Sequence, residues 1–446
     1  MTSQPSIWHD LKQLLTLAWP VVVSRIGFMT MGLIDTVVVG RYSTMQLGFH
    51  ALAWAVSGVV LTTGMGLVSG VQVKTAQHLG EGRPGATGGV LRRGVVYGFW
   101  LGLAFAVIFG FGAKALLRGL GLDEALVVGA APVLVVFALS FPFYMTEAAA
   151  SVYLEALSRP RVVMAAVLAC NLLNLLLDLV LVPGRFGIPA LGAAGAAWGT
   201  FGARLVMLIW LAAAIVLQKD ARLLGLFAPP LDGRLAAIEQ RRIGYGAGVS
   251  LFVESAAFAG LSIVAGWLGG LAVAGWGILL NLSALIFMLP MGLATATGVL
   301  VGRAYGARDA EGVRRFGFLG FGVGAATQTV IALAVLCMPG LIAGVFTPDP
   351  ALRQLVQMGL LLCCLFFVAD GLQVIGANAL RAQSDIVIPT VTHTVSYCLV
   401  MCPLAWWLAI PLGFGLPGTL WAVVTASLLA ACLLMGRFYL LTRRAL

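Results

Sequence analysis

The sequence predicts an all-α integral membrane protein in which twelve transmembrane helices form two six-helix bundles. Composition is the first observation behind this prediction, because 61% of the 446 residues are hydrophobic and only 10% are charged. Soluble domains are about 25% charged, which excludes a soluble protein. The length of the apolar runs is the second observation. They continue for 20 or more residues, long enough for a helix to cross a bilayer and too long for the alternating strands of a membrane barrel.

Short polar connections separate the apolar segments, each of which is predicted to be one transmembrane helix. In chain order the segments are residues 14–40, 47–73, 91–117, 126–154, 162–183, 193–217, 243–269, 273–301, 315–345, 353–380, 387–412 and 417–441. The single long polar stretch, residues 218–242, contains Pro229 and Pro230. It is predicted to be a cytoplasmic linker between an N-terminal six-helix lobe, residues 1–217, and a C-terminal six-helix lobe, residues 243–446.

Basic residues support the helix count because they are unevenly distributed between the connections. If the N-terminus, the even-numbered loops and the C-terminus share one side, that side has 20 Lys or Arg and the other has five. Positively charged loops remain in the cytoplasm, so both termini are predicted to be cytoplasmic. This topology accounts for the net charge of +10. Membrane lipid, and not nucleic acid, is therefore the expected partner.

The two halves of the chain resemble each other. The stretch GMGLVSGVQVKTAQHLGEGR from Gly64 aligns with PMGLATATGVLVGRAYGARD from Pro290 at an offset of 226. A second pair of stretches aligns at an offset of 223 and places Glu147 opposite Asp370. Because each half has an even number of helices, the repeat is parallel, with its pseudo-two-fold axis along the membrane normal. Transporters of this kind commonly hold their site in a cavity between or within the halves.

Acidic residues inside the apolar segments are the main functional candidates. There are five of them: Asp35, Glu147, Asp178, Glu254 and Asp370. A carboxylate at the centre of a bilayer costs about 2.5–3.5 kcal/mol on insertion scales, so it is a functional candidate by default. We interpret these acids as groups that bind and release a small cation. Arg25 and Arg204 also lie inside segments, and for them a structural ion pair is favoured over a role in substrate binding.

The fifth segment contains Asn171, Asn174 and Asp178 at spacings that place them on one helix face, within about 60° of one another. A carboxylate beside amide oxygens suits a proton or a hard cation. Hydrogen bonding between helices is the alternative, and it is favoured for Asn171.

In the second half, Asp370 and Gln373 share a face of the tenth segment, while Glu254 lies early in the seventh and Asn281 interrupts the eighth. Two carboxylates that approach each other can share a proton or hold a monovalent cation. His393 is judged to be the one histidine deep in a segment. A proton-relay role and ordinary hydrogen bonding with its Ser and Thr neighbours both remain open for it.

Enzymatic function is not indicated. The sequence has no Walker loop, no HExxH, no CxxC pair and no GxSxG at a plausible strand-to-helix turn. No cofactor is therefore expected, and any uphill transport must use an ion gradient.

From about Trp19 to Arg437, the sequence resembles the multidrug and toxic compound extrusion (MATE) family, and within it the bacterial NorM-type branch. The matching features include the first helix from Pro20 to Gly40 with Asp35, the pair Asn174 and Asp178, and Glu254 in the seventh helix. Others are PMG at 290–292, RAYGARD at 303–309 and QVIGANALRAQSD from Gln373.

The resemblance implies two bundles that alternate between outward and inward openings in the bacterial inner membrane, in a protein expected to be a monomer. It implies export of cationic amphipathic compounds in exchange for Na⁺ or H⁺. The family's cation sites correspond to Glu254 and Asp370, which are the candidate Na⁺ ligands. In the first half they correspond to Asp35, Asn174, Asp178 and Thr200. Substrate contacts are predicted at Asp35, Asp370, Gln373, Asn281 and Phe367.

One departure from the family pattern concerns the coupling ion. Where NorM-type proteins often have an aromatic hydroxyl just before the second-half acid, this chain has Phe366 and Phe367, which removes a possible Na⁺ ligand. Asp178 in place of an amide favours protons as at least part of the coupling. The main alternative function is a flippase for a lipid-linked precursor, although five interior acids suit lipid-linked sugar phosphates poorly. A channel or receptor is a third alternative, and no stretch of the sequence resembles a selectivity filter.

Overall fold

The computed structural model describes residues 7–121, 123–229 and 232–444, apart from the side chain of Arg444. Within these residues twelve helices are long and apolar enough to cross a membrane, which confirms the predicted number. They are α1 Ile7–Tyr42, α2 Thr44–Gly80, α3 Pro84–Gly119, α4 Glu124–Ala156, α5 Pro160–Leu181, α6 Ala193–Val216, α7 Arg234–Trp267, α8 Gly270–Gly306, α9 Ala310–Cys337, α10 Pro350–Ala382, α11 Val387–Ala409 and α12 Gly415–Arg443.

Several helices extend beyond the predicted segments, and two of the differences have a clear physical reason. Helix α7 begins at Arg234, inside the stretch predicted to be linker, because LAAIEQRR is polar and yet rich in strong helix formers. Of the linker prolines, Pro230 lies outside the described residues. The ninth apolar segment contains α9 and a separate short helix, Pro339–Phe346. Met338 before Pro339 has φ −135°, as expected where a proline disfavours helical geometry in the preceding residue.

The described residues divide into two compact units. One, called the N-unit here, is Val23–Gly248, and the other, the C-unit, comprises Met1–Val22 together with Val249–Leu446. The residues of α1 are thus shared between the units, with the division close to Pro20. The polar stretch 218–242 belongs to the N-unit. The lobe limits inferred from the sequence remain a prediction.

Each unit is built around one central helix. In the N-unit, α4 packs against α2, α3 and α6, and in the C-unit α10 packs against α8, α9 and α12. Each neighbour of α4 has a counterpart six helices later in the chain: α2, α3 and α6 correspond to α8, α9 and α12, as the internal repeat predicts. The core around α10 includes Leu360, Cys363 and Phe366, all of them buried. The polar face of α10 therefore lies within the C-unit and not against lipid.

Close packing of α3 on α4 depends on glycine. A Cβ atom at Gly102 would lie 2.5 Å from the Phe141 carbonyl oxygen and 2.5 Å from the Pro142 Cα atom. Real side chains do not tolerate such distances, so only glycine permits this approach of the two backbones. Gly110 lies two turns further along the same helix and has nothing within 4 Å of its Cβ position.

Gly102→Ala should lower the free energy of unfolding by about 1–3 kcal/mol, because the added methyl group forces α3 away from α4. Gly110→Ala is the matched control on the same helix. It should leave stability unchanged or raise it by up to about 1 kcal/mol, through helix propensity alone. Unfolding of the two purified variants in detergent micelles measures the difference. Equal stabilities would contradict the packing argument.

Candidate cation-binding sites

The N-unit contains a polar cluster buried in the membrane-spanning region, formed by Asp35 of α1, Asn174 and Asp178 of α5, and Thr200 of α6. All four side chains are fully buried. The Thr200 hydroxyl donates to Asp35 Oδ2 at 2.7 Å, and Asn174 Nδ2 donates to Asp35 Oδ1 at 3.0 Å. Three helices thus place the four residues predicted for the first-half site in one cluster.

Asp178 is the incompletely satisfied member of this cluster. Its carboxylate lies beside that of Asp35 and directly against Gly199 of α6, where a side chain would collide with it. Among the described residues neither Asp178 oxygen has a hydrogen-bond partner, and the same holds for Asn174 Oδ1. Buried acceptor oxygens without a donor are unfavourable. The arrangement is therefore suited to accepting a proton or a small cation.

A buried histidine next to this cluster was missed by the sequence reasoning. His50 is fully buried, interacts electrostatically with Asp35, and packs against Trp54 and Phe137 at ring-centroid distances of 6.2 and 5.8 Å. Neither ring nitrogen has a hydrogen-bond partner among the described residues. The predicted segment began only at residue 47, whereas α2 begins at Thr44, so His50 lies deeper in the helix than the sequence indicated.

Two buried ion pairs account for both interior arginines, as predicted for them. Arg25 Nη2 lies 2.9 Å from Glu155 Oε2, and Arg204 Nη1 lies 3.3 Å from Glu147 Oε1. The Arg204 guanidinium also lies over the Tyr144 ring, 4.6 Å from its centroid. Glu147 is therefore held by a fixed positive charge, which separates it from the other four interior acids. Glu155 was not predicted, because the sequence reading ended its segment one residue earlier.

In the C-unit, the amide of Gln373 connects the two predicted carboxylates. Gln373 Nε2 donates to Asp370 Oδ1 at 3.1 Å and to Glu254 Oε1 at 3.3 Å. Asp370 and Gln373 are buried, whereas Glu254 is partly exposed. Helices α7 and α10 thus bring the two predicted cation ligands, Glu254 and Asp370, within hydrogen-bonding reach of the amide of Gln373, which was predicted as a substrate contact.

Helix α11 supplies further polar groups to the same place. The fully buried Tyr397 side chain lies close enough to Glu254 and Asp370 to interact with both acids. Its hydroxyl, like Gln373 Oε1, has no hydrogen-bond partner among the described residues. Tyr397 belongs to a π-helical turn, Thr394–Met401, a feature frequently found at functional sites. His393 packs edge-on against Tyr397, with centroids 5.8 Å apart, and both residues were outside the predicted site.

The remaining predicted residues make contacts outside the two acidic clusters. Asn281 is exposed and donates to the Gly277 carbonyl of its own helix at 2.8 Å. Phe367 is buried in the hydrophobic core of the C-unit, next to Phe366. Asn171 donates to the Gly27 carbonyl at 2.8 Å, a contact between helices. Substrate contacts at Asn281 and Phe367 remain predictions.

The carboxylates alone do not form a metal site. Among the described residues, no group of three or more His, Cys, Asp or Glu side chains is placed to hold a metal ion. A Na⁺ ion prefers oxygen ligands of any type, and in the C-unit the amide oxygen of Gln373 and the hydroxyl of Tyr397 lie beside Glu254 and Asp370. These residues fit a monovalent cation better than a transition metal.

A family model described as MatE matches residues 20–180 and, a second time, residues 247–407. The chain belongs to the MatE family. One relative is the probable multidrug resistance protein NorM of Caulobacter vibrioides, 48% identical over 438 residues, covering 98% of this chain and 93% of the relative. The multidrug resistance protein PmpM of Pseudomonas aeruginosa is 28% identical over 419 residues, covering 92% and 85%. The double match agrees with the internal repeat read from the sequence.

Solved MATE structures share the fold of this MatE chain. A mutant of the Vibrio cholerae MATE transporter VcmN superposes with a TM-score of 0.89 at 17% identity and covers 99% of both chains. A MOP superfamily transporter from Pyrococcus furiosus gives 0.88 at 17% identity and covers 98% of this chain and 96% of its own. That structure is described as having a binding pocket of reversed polarity that suggests a different function. At such low identities the likeness concerns the fold, and the site chemistry must be read from this chain.

Arg25→Ala in this MatE chain should lower the free energy of unfolding by about 3–5 kcal/mol, because Glu155 would remain buried without its partner. The double variant Arg25→Met, Glu155→Met should recover most of the loss, because it leaves no buried charge. Unfolding in detergent micelles measures both variants. If the double variant were as unstable as the single one, an unpaired carboxylate would not be the cause.

Proposed function

We propose that this MatE-family protein is a secondary active multidrug exporter in the bacterial inner membrane. It exchanges cationic amphipathic compounds for Na⁺, H⁺ or both by alternating access. The observation that carries the proposal is the state of four interior acids: Asp35, Asp178, Glu254 and Asp370. Among the described residues, no basic side chain forms an ion pair with any of them, although the buried Arg381 interacts electrostatically with Glu254 at longer range. Two other acids of the same protein are each paired with an arginine.

These four acids are suited to cation exchange because an uncompensated charge has a high free energy in a membrane interior. A carboxylate without a fixed counter-ion must bind a proton or a mobile cation to become neutral. Two carboxylates side by side, as with Asp35 and Asp178, repel each other, so binding the first cation relieves the largest penalty. A cationic drug supplies the same neutralising charge. Cation and drug therefore compete for the same acids, which is the thermodynamic requirement for exchange.

Coupling also requires that the acids bind more tightly in one state of the transporter than in the other. In the proposed cycle, a cation entering from outside neutralises the acids and weakens drug binding, so that drug leaves outward. The cation then dissociates inward, and the free carboxylates bind a cationic drug from the cytoplasm or the inner leaflet. Equal affinity in both states would transport nothing, however tight the binding.

The chemistry of the two clusters favours different ions. In the C-unit, Glu254 and Asp370 lie beside neutral oxygens of Gln373 and Tyr397, which together suit the coordination of Na⁺. Tyr397 supplies from α11 the aromatic hydroxyl that the sequence lacks at Phe366 and Phe367. In the N-unit the adjacent pair Asp35 and Asp178 suits a shared proton. We assign Na⁺ to the C-unit cluster and H⁺ to the N-unit cluster.

Asp370→Asn should abolish drug resistance in cells that depend on this protein, while membrane expression remains normal. Asp370 is proposed to bind the cationic drug as well as the ion, and the neutral amide would attract neither, although it can keep the contact with Gln373. Asp349→Asn is the matched control, since Asp349 caps the exposed start of the same helix. The control should retain full resistance. Resistance at the wild-type level in Asp370→Asn would contradict the assignment.

The ion assignment can be tested in everted membrane vesicles, in which export appears as uptake of a fluorescent cation such as ethidium. A high Na⁺ concentration or a low pH in the lumen, imposed separately, should each drive accumulation. Asp178→Asn should reduce the proton-driven part about tenfold or more and spare the sodium-driven part. Glu254→Gln should do the reverse. Accumulation that responds to neither gradient would refute ion exchange, and equal responses of the two variants would refute the assignment.

A further inference from the structure

A second polar feature lies in the N-unit, apart from the acidic clusters. It is a cavity of ≈ 540 Å³ bounded by α2, α3 and the beginning of α7. Its walls include Arg92, Arg93 and Arg241 together with Tyr97 and Trp100, and no acidic residue is among the described residues that line it. Three positive charges thus line one open cavity at the end of the helices predicted to be cytoplasmic.

Several hydrogen-bond donors in this cavity have no acceptor. Four buried donor groups have no hydrogen-bond partner among the described residues: Arg92 Nε, Arg92 Nη2, Arg93 Nη1 and the Tyr97 hydroxyl. The cavity is nevertheless ordered, because Arg93 Nε donates to Gln240 Oε1 at 3.2 Å and Gln240 Nε2 donates to the Val90 carbonyl at 3.0 Å. Orphaned donors on a fixed scaffold are the features of a site for an anionic ligand.

Acidic side chains nearby compensate these arginines only in part. Asp232 forms its short contact with Arg83 at 2.9 Å, and it reaches Arg93 Nη2 only at 3.8 Å. Glu239 lies 2.7 Å from Lys74 Nζ. The two acids are thus engaged mainly by basic residues that do not line the cavity, and Arg92 and Arg241 form no ion pair among the described residues.

The outer edge of the cavity is apolar and faces lipid. Val96 is 57% exposed and Trp100 is 63% exposed, and both belong to α3, which is apolar enough to span the membrane. Trp side chains are favoured at the level of the lipid headgroups. The cavity therefore continues directly from a basic pocket to an apolar surface that contacts acyl chains.

We propose that this cavity binds an anionic phospholipid. Its phosphate accepts hydrogen bonds from Arg92, Arg93 and Tyr97, with Arg241 adding positive charge, and an acyl chain lies along Val96 and Trp100. Guanidinium groups match phosphate oxygens in geometry as well as charge. Basic pockets between membrane helices on the cytoplasmic side are suited to such headgroups. The bound lipid would contact α2, α3 and the start of α7 and so stabilise their packing. Helix α7 is the helix that begins within the linker stretch.

The test uses the purified, delipidated full-length protein in non-ionic detergent. Dioleoyl-phosphatidylglycerol is added, and the fraction of protein that retains one lipid molecule is measured by native mass spectrometry. Dioleoyl-phosphatidylcholine and inorganic phosphate are added in parallel. We expect retention of the anionic lipid to be at least about tenfold tighter than that of the neutral lipid, and competition by inorganic phosphate to be weak. Retention of both lipids alike, or displacement by inorganic phosphate at equal concentration, would overturn the proposal.

The double variant Arg92→Gln, Arg241→Gln should lose this preference, with affinity lowered about tenfold or more. Arg242→Gln is the matched control, because Arg242 neighbours Arg241 on α7 but is exposed and does not line the cavity. If the double variant fails to fold, Trp100→Ala serves instead, since its lipid-facing side chain contributes to binding and little to the core. Unchanged retention in the variants, or an equal loss in Arg242→Gln, would overturn the proposal. These measurements do not depend on transport, so their outcome is independent of the exchange proposal.

Discussion

The interior of this protein is organised by the high free energy of an unpaired carboxylate in the membrane. Apart from Asp10 near the start of α1, which contacts Arg315, six acids are buried or partly buried within the spanning helices of the described chain, and they divide by their partners. Glu147 and Glu155 each contact an arginine, which fixes their charge. Asp35, Asp178, Glu254 and Asp370 form no ion pair and lie among amides, hydroxyls and one another. Two basic side chains act on them only at longer range, His50 on Asp35 and Arg381 on Glu254. The second group can become neutral only by binding something that later leaves, which is the property that an exchanger needs.

The two halves of the repeat share their helix packing but differ in the partners of their acidic residues. The central helices α4 and α10 occupy equivalent positions and have equivalent neighbours, and the alignment places Glu147 opposite Asp370. Even so, Glu147 is neutralised by Arg204 from α6, whereas Asp370 is bridged to Glu254 by Gln373. The N-unit places its unpaired acids on α1 and α5 instead. The two units thus share an architecture and contain chemically different clusters of acids, and this asymmetry is the basis for the proposal that they bind different ions.

The number and order of the helices and the acids inside them followed from the sequence, because long apolar runs and charges within them are local signals. Asp35, Asn174, Asp178 and Thr200 lie together, as the family resemblance implied, whereas the meeting of Glu254 with Asp370 and Gln373 is a tertiary contact that the sequence could not show. Tyr397 was missed because its position depends on a π-helical turn, which reflects hydrogen-bond register and leaves no composition signal. His50 and Glu155 were missed because each lies near a segment end, where sequence boundaries are least certain. Asn281 was selected for its polarity alone, and its amide bonds to its own helix.

The two arginine–glutamate pairs bear on how the protein responds to the voltage across the membrane. Moving one elementary charge through that field changes the free energy by about 2.3 kcal/mol per 100 mV. Arg25 with Glu155 and Arg204 with Glu147 carry no net charge, so any displacement of these pairs is electrically silent. The unpaired acids, in contrast, change their net charge when they bind or release a cation. The membrane voltage is therefore expected to act on the loaded or empty state of the proposed sites and not on these two ion pairs.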